Sequence, residues 1–175
     1  MKNKPLSPVL SAQAAMKWIA IALLAGTGLA RADSPQRVTP LPKYQQECAA
    51  CHLAYPPGML PAASWKRLMG SLDKHYGTDA SLDEASVREI SGWLQTHAGT
   101  YKRVSEEPPQ DRITRSQWFV RKHSEVDPQI WKQAAVKSAA NCAACHTAAD
   151  KGSFRESEIQ FPKGLDARFR RNWSD

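Results

Sequence analysis

Five letters, Cys-Ala-Ala-Cys-His, occur twice in this chain of 175 residues, at 48–52 and again at 142–146. The two copies use all four cysteines and two of the five histidines. No cysteine is left over for anything else, so whatever the pentads hold fixes two points around which the fold must be built.

Cys-x-x-Cys-His is the attachment signature of c-type haem. Cysteines three apart share one face of a helical turn, where two thiols can add across the two vinyl groups of a macrocycle. The histidine that follows lies beneath the ring and reaches the iron as its fifth ligand. Cys48, Cys51 and His52 are therefore assigned to a first haem, and Cys142, Cys145 and His146 to a second. Three plainer uses fit less well. Paired Cys-x-x-Cys zinc ligands stand about 15–20 residues apart, whereas about 90 separate Cys51 from Cys142. A thioredoxin-like dithiol needs a helix after the motif, and Tyr55-Pro56-Pro57-Gly58 follows the first copy instead. Structural disulfides would leave both histidines unexplained.

The first residues carry a different message. Lys2, Lys4 and Lys17 precede an apolar run from Trp18 to Ala30, and Ala30-Arg31-Ala32 follows. That order describes a cleaved secretory signal over residues 1–32; the run is shorter than the roughly 20 residues a membrane-spanning helix needs. Met16 would itself open a compact signal, leaving the start at Met1 or Met16 open. The whole chain has 24 basic and 17 acidic residues, a net charge of +7. Without the leader's four basic residues (Lys2, Lys4, Lys17, Arg31) the balance is 20 to 17, or +3. The strongly basic face that nucleic-acid binding wants is mostly the leader's, and nucleic acid is not an expected partner. An exported, soluble protein follows, and its small size points to a cofactor-dependent core.

Beyond the leader the pattern is all-α: short helices and long loops packed around two covalently bound haems. A helix is predicted from Tyr44 to His52, entered through Pro42. Trp65, Leu68, Met69 and Leu72 recur at helical spacing within Ala62 to Tyr76, with Gly77 as the stop. Ser81-Leu82-Asp83-Glu84 reads as a capping box opening a helix that buries Val87, Ile90, Trp93 and Leu94 and ends before Gly99. Glu106-Glu107-Pro108-Pro109 marks a boundary between an N-terminal haem module, 33–107, and a C-terminal one, 108–175. Ser116 to Lys122 forms a short aromatic helix, and Asp127-Pro128 is predicted to open another through Trp131 and Val136. The tail after Gly152 has no periodicity, and Arg168-Phe169-Arg170-Arg171 reads as a solvated basic tail.

The sixth iron ligand decides what such a protein does, because ligand type sets potential and an open position admits substrates. Five side chains are candidates. His75 lies at the edge of the Trp65 stripe, near the predicted helix end, where it suits a haem packed on that stripe. His123 follows the aromatic Trp118-Phe119-Val120 and suits the cover of a haem face. His97 falls on the Ile90 stripe but sits one turn from its helix end, where an imidazole serves the last carbonyls. Met69 lies mid-stripe and reads as core. Met59 is seven positions past His52 and would have to swing round the macrocycle edge.

The chain resembles the small dihaem cytochrome c family of proteobacteria. The resemblance rests on EC-x-x-CH-x-AYPPG-x-LP-x-x-SW at 47–65, LMGSLDKHYGTDASLD at 68–83, RITRSQWFVRKHSEV at 112–126 and NCAACH-x-x-A at 141–149. The region of Gly152, Ile159 and Pro162 completes it. It implies two haem c groups, each with paired histidines, and its HYG and RKH-type motifs fall on His75 and His123; the position of His97 departs from its pattern. Sequence proximity favours His75 with the first haem and His123 with the second. The implied protein is a monomeric periplasmic one-electron carrier, not an enzyme. Its donor would be a membrane-bound b-type cytochrome or quinol-linked protein, met by peripheral contact only, and its acceptor a small soluble haem protein. The competing readings, a dihaem peroxidase or a haem-based redox or gas sensor, each need one displaceable axial ligand.

Overall fold

The computed structural model describes residues 38–99, 104 and 106–172, so the predicted signal segment, 1–32, lies outside the described residues. The described residues lie within one compact unit. Among the described residues there is no strand, only the two isolated bridges His75–Thr78 and His146–Ile159, and the class is all-α with short helices and long loops.

Among the described residues, four α-helices carry the architecture. α1, Pro42–Cys48, starts on a proline whose missing N–H costs nothing in the first turn and buries Tyr44. It ends at Cys48, not at His52 as predicted; Ala49 closes the last turn onto Gln45 O, and Cys51 and His52 lie beyond it. α2, Ala62–Met69, buries Ser64, Trp65 and Met69. It too is shorter than expected. The Gly70 N–H meets both Lys66 O and Arg67 O, the Ser71 hydroxyl donates to Arg67 O at 2.9 Å, and Ser71 leaves helical geometry at φ −143°. A 3-10 turn, Leu72–Lys74, then delivers His75. α3, Glu84–His97, is capped by Asp83, whose Oδ1 accepts from the N–H groups of Ala85 and Ser86. The Ser86 hydroxyl donates to the other carboxylate oxygen at 2.6 Å. The cap is therefore Asp83, two residues later than Ser81. Gly99 takes the left-handed turn after α3 (φ 59°) and donates to Leu60 O at 2.8 Å.

α1, α2 and α3 enclose a core of Tyr44, Leu60, Trp65, Met69, Ile90 and Leu94, with Ile90 and Leu94 fully buried. Burying a leucine or isoleucine contributes about 1.5–3 kcal/mol, enough to hold these helices together. The predicted boundary stretch is fastened to this core. Arg67 donates to both Asp111 oxygens, at 2.9 and 2.6 Å, and to Glu107 at 2.6 Å.

The rest is different in kind. α4, Gln117–Lys122, is capped by Ser116, which accepts from Phe119 N–H. The helix predicted from Asp127 through Val136 is absent. Asp127 Oδ1 does accept from Gln129 N–H, but only the 3-10 turn Ile130–Lys132 follows, and Gln133 is already extended (ψ 144°). The Val136 carbonyl is taken by the Asn141 side chain at 2.9 Å, and a helix that never propagates past its first turn does not recover its nucleation cost. Further 3-10 turns at Cys142–Ala144, Ala149–Lys151, Glu156–Glu158 and Ala167–Asn172 surround a second core of Ile130, Val136, Leu165 and Phe169. The tail is not simply solvated: Phe169 is buried, and Arg170 lies over the Phe161 ring at 4.1 Å.

Candidate functional site

The first pentad turns away from α1 so that Cys51 and His52 are exposed. His52 Nδ1 lies 2.7 Å from Leu53 O. A carbonyl only accepts, so Nδ1 carries the proton and Nε2 keeps the lone pair that binds metals. His75 approaches from the turn after α2. Its carbonyl accepts from Thr78 N–H at 3.0 Å, and the tight return needs left-handed backbone at Tyr76 (φ 51°) and Gly77 (φ 97°). This brings the His75 ring to 6.1 Å from the His52 ring, centroid to centroid, with 18° between planes. Tyr55 stacks on His52 at 5.1 Å. Tyr76 meets His75 edge-on at 4.9 Å and is itself covered by the Arg112 guanidinium at 4.0 Å.

The second pentad makes its own turn. Cys142–Ala144 is a 3-10 turn, His146 N–H reaches Cys142 O at 2.8 Å, and Gln160 N–H reaches Cys145 O at 2.9 Å. His123 sits just past α4, where both its N–H and its Nδ1 bond Phe119 O. Its ring stacks on Phe119 at 4.0 Å, with Trp131 edge-on at 5.9 Å. The His123 and His146 rings stand 6.2 Å apart, with 76° between planes. His146 Nδ1 is buried without a hydrogen-bond partner, and Phe154 lies 5.4 Å from that ring.

These two spacings test whether the residues suit an iron macrocycle. Two imidazoles bonded head-on to one metal at about 2 Å, each ring centre about 1 Å behind its nitrogen, have centroids about 6 Å apart. Both pairs meet that requirement. Burial holds the His75, His123 and His146 imidazoles below their usual value, with His52 also acting on His75 and His123 on His146. The neutral form, which is the ligand form, is favoured at all three. Among the described residues no three His, Cys, Asp or Glu side chains gather as a protein-only metal site. A facing pair of imidazoles instead suits a metal whose four equatorial positions a porphyrin fills. The cysteines are unpaired with one another. Burial pushes the Cys48 and Cys142 thiols up to about 11.

The remaining candidates go elsewhere. His97 Nδ1 bonds Trp93 O at 2.8 Å, one turn back along α3, and its ring lies against Trp93. Met69 is in the first core, and Met59 is buried in the turn Pro57–Met59. Tyr55, Tyr76, Arg112 and Phe154 were not singled out from the sequence. For the first of these the only signal was its place in the Tyr-Pro-Pro-Gly run.

Two Cys-x-x-Cys-His segments, each with a second imidazole 6.1 or 6.2 Å from its histidine ring, suit a two-haem cytochrome of the c type. Residues 44–154 match the family described as dihaem cytochrome c, and the chain belongs to that family. It is similar to the DHC purified from Rhodobacter sphaeroides in its crystal structure, with 46% identity over 67% of this chain and 100% of that one and a TM-score of 0.59. It is also similar to the diheme cytochrome c sb-DHC from Shewanella baltica OS155, with 32% identity over 70% of this chain and 95% of that one and a TM-score of 0.61. No curated protein matches. The protein thus carries two c-type haems with their irons, and its class is that of electron carriers. Among the described residues no helix is long and apolar enough to cross a membrane.

Proposed function

We propose that this protein is a periplasmic one-electron carrier in which both irons are saturated by imidazole. His52 and His75 serve the first haem, held by Cys48 and Cys51; His146 and His123 serve the second, held by Cys142 and Cys145. One module lies on either side of the Glu107–Pro108 junction. The observation that carries the reading is the pair of imidazole spacings, 6.1 and 6.2 Å.

Each haem supplies a one-electron iron couple. The chain's own residues keep that couple simple. His52 with His75, and His146 with His123, would hold the two irons, leaving no substrate position and keeping the ligand set the same in both oxidation states. Leu53 O and Phe119 O fix the tautomer and orientation of His52 and His123, and ordering the ligands beforehand keeps rearrangement on electron transfer small. Phe119 and Trp131 exclude water around His123. No side chain has to move a proton.

Residues 1–32 direct export and are removed, and the monomeric mature chain draws electrons from a membrane-bound b-type cytochrome or quinol-linked donor. A small soluble haem protein accepts them. Peroxidase-like or gas-sensing activity would need an open or displaceable iron position, and the facing rings disfavour one. The test is low-temperature EPR of the oxidised protein, with metal counting. Two irons per chain and two low-spin signals are expected, and His75→Ala and His123→Ala should each abolish one signal. Rapid, complete carbon monoxide binding at one haem of the reduced wild-type protein would overturn the reading.

A further inference from the structure

We propose that Tyr55 is a positioning residue that ties the two haem-attachment segments together and keeps the two redox centres coupled; this rests on the two-haem carrier reading. Its ring stacks on His52, centroids 5.1 Å apart and planes 26° apart. Its hydroxyl donates to Ala140 O at 2.8 Å, 85 positions away in the chain. That carbonyl also accepts Cys142 N–H at 3.0 Å. One oxygen, with both lone pairs used, therefore holds the backbone of the second attachment cysteine and the phenol that covers the first proximal histidine.

Tyr55 is itself fixed from behind. Its carbonyl accepts the Tyr44 hydroxyl at 2.7 Å, and Tyr44 is buried in the first core. The residue before a proline is confined to extended backbone, and here Pro56 follows. Next along, Pro57 O receives Trp65 Nε1 at 2.7 Å. The anchored residue thus reaches from the helical core, across His52, to the second pentad. Coupling between sites needs a continuous physical connection, and electron tunnelling between centres falls off more steeply across a gap than through bonded contacts. In the shared step one electron leaves one ferrous iron and reduces the other, ferric, iron. No bond is made or broken, and the phenol keeps its proton.

The test uses the mature protein with both haems attached. Tyr55→Phe keeps the stack on His52 and deletes the bond to Ala140 O, which lies where water can replace the donor, so the fold should survive. Tyr55→Leu deletes both contacts. One electron is injected by pulse radiolysis, and its redistribution between the haems is followed optically. Both haems and both low-spin signals should persist in Tyr55→Phe while redistribution slows severalfold, with a further slowing in Tyr55→Leu. A wild-type rate in Tyr55→Phe, with both haems retained, would overturn the assignment, whatever the leucine variant does. Absence of two low-spin haems from the wild-type protein would sink the carrier reading, and this inference with it.

Discussion

The two haem-binding regions reach the same imidazole spacing by different constructions. The first is mounted on three packed α-helices with six buried side chains at their centre. In the second, Ile130, Val136, Leu165 and Phe169 are gathered by α4 and a succession of 3-10 turns, whose hydrogen-bond geometry is poorer. Ring orientation differs as well. The His52 and His75 planes are nearly parallel at 18°, while the His123 and His146 planes are crossed at 76°. His123 is pinned by the Phe119 ring and carbonyl, and His75 by Tyr76 beneath Arg112. Spacing is what an iron demands. Rotation about the iron–nitrogen bond would be left for each protein segment to set, and the two segments hold their rings at different angles.

The largest expected effect tests the structural half of that contrast. Replacing both Cys48 and Cys51 by Ser, or both Cys142 and Cys145, should halve the covalent haem content in each case. Far-UV circular dichroism should then separate them. Loss of the first haem leaves α3 and its buried Ile90 and Leu94 largely folded. Loss of the second removes the main apolar body of a region that has little other core, and its turns should unravel. Equal loss of helical signal in the two double variants would erase the distinction.

Next in size comes a spectroscopic difference. Parallel imidazole planes act together in splitting the two π-symmetry d orbitals of a ferric iron, and crossed planes cancel. The oxidised protein should show one rhombic low-spin EPR signal and one nearly axial signal with the larger greatest g value. His75→Ala should remove the first and His123→Ala the second. Two superimposable signals would show that the rings turn freely about their bonds.

Much of this could be read before the structure. The pentads point to two haems because thioether attachment requires that spacing, and the helical stripes of Trp65 and Ile90 locate the first core. The sequence analysis could not find where helices give way to turns. Gly70 and Ser71 end α2 seven residues early because backbone carbonyls there are taken by local donors, which a periodicity does not register. The missing helix before the second pentad has a related cause. Asp127-Pro128 opens like a helix start, but Trp131 lies against His123 and Val136 in the second core from separate turns, and a region built round a macrocycle can satisfy apolar residues without periodic packing. Tyr55 and Tyr76 escaped notice because their partners are main-chain oxygens 34 to 85 residues away. Carbonyls have no letter in a sequence.

The smallest effect sharpens the contrast from the surface. Arg67 fastens residues 107–111 onto α2 in the first region through Glu107 and both oxygens of Asp111. Its hydrogen bonds hold the Asp111 carboxyl below its usual range, against the upward push of partial burial. A carboxyl whose folded value is depressed stabilises the fold above its unfolded value, about 3.9. That contribution fades as pH falls through the lowered folded value. Asp111→Asn should therefore lower the thermal midpoint of the haem-loaded protein slightly at neutral pH, on the scale of a surface ion pair, and flatten its decline between about pH 5 and pH 2. Because Arg112, which covers Tyr76, adjoins Asp111, the rhombic signal of the first haem should broaden while the axial signal stays as it was. Broadening of the axial signal instead would mean that the clamp serves the second region, and the division drawn between the two would have to move.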